Sequence, residues 1–312
     1  MAAARNRILV AVDGSEASFD VVQYLSGICP AERTALTLFH VLSPTAENRY
    51  DRTGSATEDG MFESGDAIRK NAMEAFMERA GSLLHGSGFP PGAVTIKVQA
   101  RRCGIARDIL QEASTGYGAV AAGRVGMNPI GRLIMGSVAV KLALALRRRP
   151  LWLVDGCPNP QRVLVALDGS DNALHVVNHV AAALAGAPAQ ILLFHVIRSP
   201  YPEPRPEIAE PGEDRIEVLE DEKRVRASMA PVFHKAFRKL ASSGFAPERI
   251  SVKIVIGMAT RAGTIYAQAR SGGYGTIVTG RRGLSRVREF PLGRVTHKVV
   301  QLAQKAAVWV VP

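Results

Sequence analysis

Residues 123–137 read GRVGMNPIGRLIMGS, with Gly123, Gly126, Gly136 and Ser137 spaced as Gly-x2-Gly-x9-Gly-Ser. A short apolar run, Tyr117 to Ala122, precedes the stretch, and a helix-like run, Ser137 to Arg147, follows it. The glycines therefore sit where a strand hands over to a helix. Glycine lets a backbone turn sharply and bring its N–H groups against a ligand with no Cβ in the way. The first turn of the new helix adds unpaired donors and a partial positive charge. The stretch reads as a cradle for phosphate.

Upstream, Arg7 to Val12 (RILVAV) has the continuous apolar character of a parallel strand buried on both faces, and it ends in Asp13-Gly14-Ser15. Ser15 is suited to cap a helix whose apolar stripe is Phe19, Val22, Leu25 and Ile28. Ala35 to Val41 and Val94 to Val98 read as further strands, and Leu151 to Val154 closes the unit. Helical spacing recurs at Ile68, Ala72, Phe76, Leu83 and Leu84, and again at Ile105, Ile109 and Ala113. Alternating strands and helices imply crossover connections, a parallel sheet and an α/β fold.

The pattern then starts again. Val163 to Gly169 (VLVALDG) echoes Ile8 to Gly14 (ILVAVDG), and Phe194-His195-Val196 echoes Phe39-His40-Val41. Gly280, Gly283 and Gly293 repeat Gly123, Gly126 and Gly136, Trp309 repeats Trp152, and Arg294 stands in the place of Ser137. A repeat this long means duplicated domains, expected at 1–156 and 161–312 about the linker GCPNPQ, and 312 residues suffice for two cores. A proline-rich stretch, Ser199 to Pro211, reads as a surface excursion.

Hydrophobic content of 47% with 21% charged residues is that of a folded chain, not a disordered one. Pro188 interrupts the longest apolar candidate for a membrane span, and MAAARNRILV lacks the apolar core of a signal peptide, so a cytoplasmic protein without membrane association is expected. The three cysteines, Cys29, Cys103 and Cys157, have no C-x-x-C spacing and read as reduced thiols. A net charge of +11 suits a polyanionic partner without choosing one. His175 and His179 share a helical face but lack a third metal ligand. His40 and His195 end equivalent strands and read as packed core residues.

The Asp-Gly-Ser after the first strand, the glycine loop after the fourth and the returning apolar fifth strand resemble the universal stress protein family in a tandem two-domain form. The resemblance extends to the family's ATP-binding branch. It implies two doubly wound domains, each a five-stranded parallel sheet in the order 3-2-1-4-5 with helices on both faces, and nucleotide across the carboxyl ends of strands one and four. It further implies that Ala11, Val12 and Asp13 edge the adenosine, that Val41 meets the adenine, and that Gly123, Arg124 and Gly126 wrap ribose and first phosphates. Gly136, Ser137 and Val138 would then offer donors to the outer phosphates. In the second domain the same roles fall to Ala166, Leu167, Asp168, Val196, Gly280, Arg281, Gly283, Gly293, Arg294 and Val295.

The ligand so implied is ATP, with magnesium carried on its phosphates, and the output is a nucleotide-dependent conformation or partner in a stress response, not turnover. No G-x-x-x-x-G-K-[ST] loop and no second carboxylate beside Asp13 support phosphoryl chemistry, although the resemblance leaves weak ATP hydrolysis or autophosphorylation open. A basic scaffold that binds nucleic acid or protein is the other reading of the charge, but no helix-turn-helix, zinc finger or aromatic RNA platform accompanies it. The two domains are expected to pack as an intrachain pseudo-dimer through their fifth strands, and a homodimer is left open.

Overall fold

The strand-forming runs lie side by side, and those that are apolar along their whole length sit inside the sheet. The computed structural model describes residues 6–43, 59–125, 135–170, 172–198, 213–257, 260–283 and 291–312. In the first half the chain runs β1 (Asn6–Ala11), α1 (Glu16–Ile28), β2 (Thr34–Leu42), α2 (Asp59–Gly86), β3 (Val94–Ala100), α3 (Ile105–Ala113), β4 (Ala119–Gly123), α4 (Ser137–Ala145) and β5 (Leu151–Val154). The second half repeats it as β6 (Arg162–Ala166), α5 (Asn172–Leu184), β7 (Gln190–Arg198), α6 (Glu213–Ser242), β8 (Ile250–Gly257), α7 (Arg261–Ser271), β9 (Thr276–Gly280), α8 (Arg294–Leu302) and β10 (Ala307–Val311). The proline-rich stretch after β7 lies outside the described residues.

Local chemistry sets the ends of these elements. Ser15 caps α1, its Oγ accepting from the Ser18 N–H at 3.2 Å, and Glu16 in the first turn complements the helix dipole. The stripe Phe19, Val22, Leu25 and Ile28 is buried against the sheet. Cys29 turns extended ahead of Pro30, which cannot continue a helix.

Each half has its strands in the expected order, β3-β2-β1-β4-β5 and its counterpart β8-β7-β6-β9-β10, all parallel. The halves do not keep separate sheets. β5 and β10 pair antiparallel with Trp152 opposite Trp309, which fuses them into one ten-stranded sheet. Both strands are buried along their whole length, so an unpaired edge there would leave backbone polar groups without partners among apolar side chains.

The cores follow the faces of this sheet. One core joins Ile8, Val10, Trp152, Val163, Val165 and Trp309 under α1, α2, α5 and α6. The other joins Leu9, Leu151, Leu153, Leu164, Val308 and Val310 under α3, α4, α7 and α8. The two cores thus divide by sheet face, not by domain as expected, and each spans both domains. Among the described residues no helix is long and apolar enough to cross a membrane.

Candidate functional site

At the carboxyl end of β6 the chain turns through Asp168. The Asp168 Oδ1 accepts from the Ser170 N–H at 3.1 Å and from its hydroxyl at 2.5 Å, a side-chain turn that fixes the carboxylate before α5 begins. Asp13 does the same with Ser15, at 3.0 and 2.5 Å. Each aspartate therefore caps its own turn. The cap engages one oxygen of each carboxylate; the second oxygen of Asp168 lies against Gly283, where any Cβ would collide with it. Strand one and the glycine loop of the second domain thus meet in one place.

The glycine loops are pinned at their necks. Gly136 N–H donates to the Arg124 carbonyl and Gly293 N–H to the Arg281 carbonyl, each at 2.8 Å. Those two amides are engaged within the protein, so the donors left at the starts of α4 and α8 come from the residues that follow. Ser137 and Arg294 are exposed there, and Val138 and Val295 are half-buried. Gly123 packs close to α1, with 3.5 Å from a Cβ position to the Ala17 carbonyl, so strand-to-helix packing is also part of its role. Gly126 lies outside the described residues.

The Arg124 and Arg281 side chains of the two loops are buried. Arg124 is 1% exposed, with its Nε 3.8 Å from Asp155 Oδ2 beside β5. Arg281 is 4% exposed and crosses the domain boundary. Its Nη1 donates to the Ala143 and Pro291 carbonyls, both at 2.9 Å, and its Nη2 donates to the Leu146 carbonyl. Its side chain is thereby directed to the carboxyl end of α4 instead of to a ribose, because unpaired helix-terminal carbonyls attract a cation. Burial, then the neighbouring Arg147 and Arg282 charges, lowers its pKa to about 10, so it remains a cation at neutral pH.

A cleft opens in the second domain between the carboxyl ends of β6 and β9. Ala166, Leu167, Asp168, Val196, Gly280, Gly283, Gly293, Arg294 and Val295 all line it, whereas Arg281 does not. Arg282, whose charge the sequence places beside the loop, lines it. Sequence reading missed Arg261 at the start of α7, His195 and Thr279 among its walls. The Arg282 Nε and the Thr279 hydroxyl are buried and find no hydrogen-bond partner among the described residues. His195 is not merely packed: its Nδ1 meets the Leu167 carbonyl at 2.8 Å, which ties strand two to strand one at the mouth. Burial holds the His195 imidazole below its ordinary pKa. The Leu167 bond opposes this shift, Arg261 adds to it, and Asp168 opposes it. A neutral ring with its proton on Nδ1 follows. The signal for Arg261 was Thr260 followed by arginine, since the Thr260 hydroxyl caps α7 at the Gly263 N–H and leaves Arg261 at the helix's first position.

In the first domain Ala11 is half-buried, and Val12 and Val41 are buried at the equivalent strand ends. His40 Nδ1 meets the Val12 carbonyl at 2.9 Å. His179, by contrast, is turned away from any cleft: Nε2 accepts from the Trp152 indole N–H at 3.0 Å, while His175 on the same helix is exposed.

The chain is thus a pair of doubly wound α/β domains sharing one sheet, each with an aspartate turn and a pinned glycine loop at its switch point. The sequence profile of the universal stress protein family matches residues 4–147 and again 159–312, and the chain belongs to that family as a tandem member. Among solved structures it is similar to a universal stress protein from Archaeoglobus fulgidus DSM 4304, at 17% identity and a TM-score of 0.57 with 98% of each chain covered. A functionally unknown protein, PA1789 from Pseudomonas aeruginosa PAO1, aligns at 17% identity and a TM-score of 0.58, over 99% of this chain and 92% of that one. No curated protein sequence matches significantly.

Proposed function

We propose that the chain binds adenine nucleotide, ATP foremost, at the switch-point cleft of each domain, and that occupancy acts through conformation or partner binding in a stress response, not through turnover. The observation that carries this reading is the second cleft, where an aspartate carboxylate lies against a glycine loop beside a space walled by arginine. An acceptor at one end suits the hydroxyls of a ribose or an exocyclic amine, and cations with helix-start amides at the other suit phosphate. Val196 and Ile265 supply apolar wall for a base between them. Asp168 is the single carboxylate among the described residues that line the cleft, so magnesium would be carried mainly by the ligand's own phosphates. That one carboxylate, already engaged by Ser170, is poorly placed to activate water, which favours binding over hydrolysis. Three arginines lining one cleft speak for a small polyanion over nucleic acid.

Mass spectrometry of ligand released from freshly purified protein, counted per chain, tests the reading. Adenine nucleotide at up to two per chain is the expected result. No retention of ATP, ADP or AMP, combined with no binding at millimolar nucleotide, would overturn it.

A further inference from the structure

Three positions that line the second cleft carry arginine where the first domain has an uncharged residue. At the first helical position of the third helix of each domain, α3 begins with Ile105 and α7 with Arg261. Two residues past the first loop glycine stand Val125 and Arg282. At the start of the helix after the loop stand Ser137 and Arg294. Arg261, Arg282 and Arg294 all line the second cleft, and none forms a salt bridge with a carboxylate among the described residues. Among the described residues Arg282 Nε is buried without an acceptor, and so is the hydroxyl of Thr279, a residue 3% exposed on the same cleft wall. Buried donors of this kind are costly unless something accepts from them. Three cations converging on one space repel one another, a cost that an oligoanion between them offsets.

We propose that the second cleft is selective for polyphosphate: Arg261, Arg282 and Arg294 together recognise a chain of two or three phosphates, whereas the first domain has Ile105, Val125 and Ser137 at the matching positions. This rests on reading the cleft as a phosphate site, and it assigns the three arginines as its specificity determinants. A single phosphate meets one or two of the three guanidinium groups; a triphosphate spans them. Each added phosphate therefore gains a charge-assisted contact of about tenfold in affinity.

The test is calorimetric titration of the full chain, freed of nucleotide, with inorganic orthophosphate, pyrophosphate and tripolyphosphate, and in parallel with AMP, ADP and ATP. One tight class of site should rank tripolyphosphate above pyrophosphate above orthophosphate, by about tenfold per step. R294Q, an exposed position that folding does not depend on, should weaken tripolyphosphate by about tenfold. R261Q/R282Q/R294Q should abolish the ranking, while R148Q, outside the cleft, leaves it intact. Equal affinity for the three phosphates, or a triple variant that ranks them as wild type does, overturns the proposal. If AMP binds as tightly as ATP, polyphosphate selectivity fails and the nucleotide reading survives. If tripolyphosphate binds selectively and adenosine adds nothing, selectivity stands and the nucleotide reading fails.

Discussion

The guanidinium of Arg281 donates to the carbonyl of Leu146 at 2.5 Å, across the boundary between the two domains. Leu146 is the residue on which α4 ends, and the same guanidinium holds the Pro291 carbonyl in the second domain's glycine loop. One buried cation thus ties the cradle of one domain to the helix that starts at the cradle of the other.

Replacing Arg281 by methionine keeps most of the side-chain volume and leaves the Ala143, Leu146 and Pro291 carbonyls without their donor. The expected loss is about 3 kcal/mol or more, read as a lower urea midpoint at unchanged baseline spectra. Because the residue joins the halves on the α4 face, unfolding should also lose part of its single-transition character. A change below about 0.5 kcal/mol would mean that the cap is not a stabilising contact.

On the opposite face the seam is aromatic. Trp152 and Trp309 stack with centroids 3.7 Å apart and planes 2° from parallel, and His179 lies edge-on to both. Tyr24, at the place in α1 that His179 holds in α5, reaches the other way to meet the Thr276 hydroxyl at 2.7 Å. A coupled exciton signal in the near-ultraviolet circular dichroism should report this stack, and W309F should remove it. Trp309→Ala should cost about 3–5 kcal/mol, since both rings are fully buried. A spectrum indistinguishable between wild type and W309F would contradict the stacked geometry.

His179 makes that seam sensitive to acid. Burial lowers its pKa from 6.5 to about 4. Between those values the unfolded chain binds one proton more than the folded chain, so stability rises with pH across the window. It is present above about 6.5 and is lost as pH falls towards about 4, by an amount on the order of 3 kcal/mol. His179→Gln retains an acceptor for the Trp152 N–H and cannot titrate. Urea denaturation from pH 7 to pH 4.5 should therefore give a shallower fall for this variant than for wild type, and parallel curves would remove His179 as the cause.

These relationships also show where the sequence ceased to be informative. The strands were legible because a strand buried on both faces has to be apolar along its whole length, as in Val163 to Val165 and Leu151 to Val154. The order within each half followed from the repeat and from the family resemblance. Asp168 and Gly283 were legible as a pair because each repeats its counterpart at matching spacing. Arg281 was not. An arginine beside a loop glycine has the same spelling whether it grips a phosphate or a helix end, and only the antiparallel pairing of β5 with β10 brings the α4 terminus within its reach. The division of the core by sheet face was hidden for the same reason. Arg261 was missed because its helix start lies far in sequence from the glycine loop that it faces.

Cys157 offers a test of the linker. It is exposed, yet its thiol donates to Asp20 Oδ1 at 2.9 Å on α1, and partial burial followed by that carboxylate pushes its pKa up to about 11. At pH 8 its thiolate fraction, and hence its rate with an aromatic disulfide reagent, should fall about a hundredfold below that of an ordinary exposed thiol. Asp20→Ala should recover part of the rate. Fast reaction in the wild-type chain would place the linker away from α1.

The contact between Asp168 and Gly283 gives the sharpest local test of the cleft. An alanine at 283 would put a methyl where the Asp168 carboxylate now lies, whereas a Cβ at Gly169, in the same aspartate turn, finds only the Met229 sulfur at 3.9 Å, an ordinary contact. Gly283 is exposed, so its methyl costs little stability, but it forces the carboxylate out of the place a ligand would meet it. Gly283→Ala should therefore weaken nucleotide binding at one of two sites by about tenfold or more, and Gly169→Ala by less than about twofold. Melting temperatures without ligand should stay close to wild type for both. Equal binding losses in the two variants would show that backbone stiffening, not the displaced carboxylate, is responsible, and Asp168 would then lose its place as a ligand-facing group.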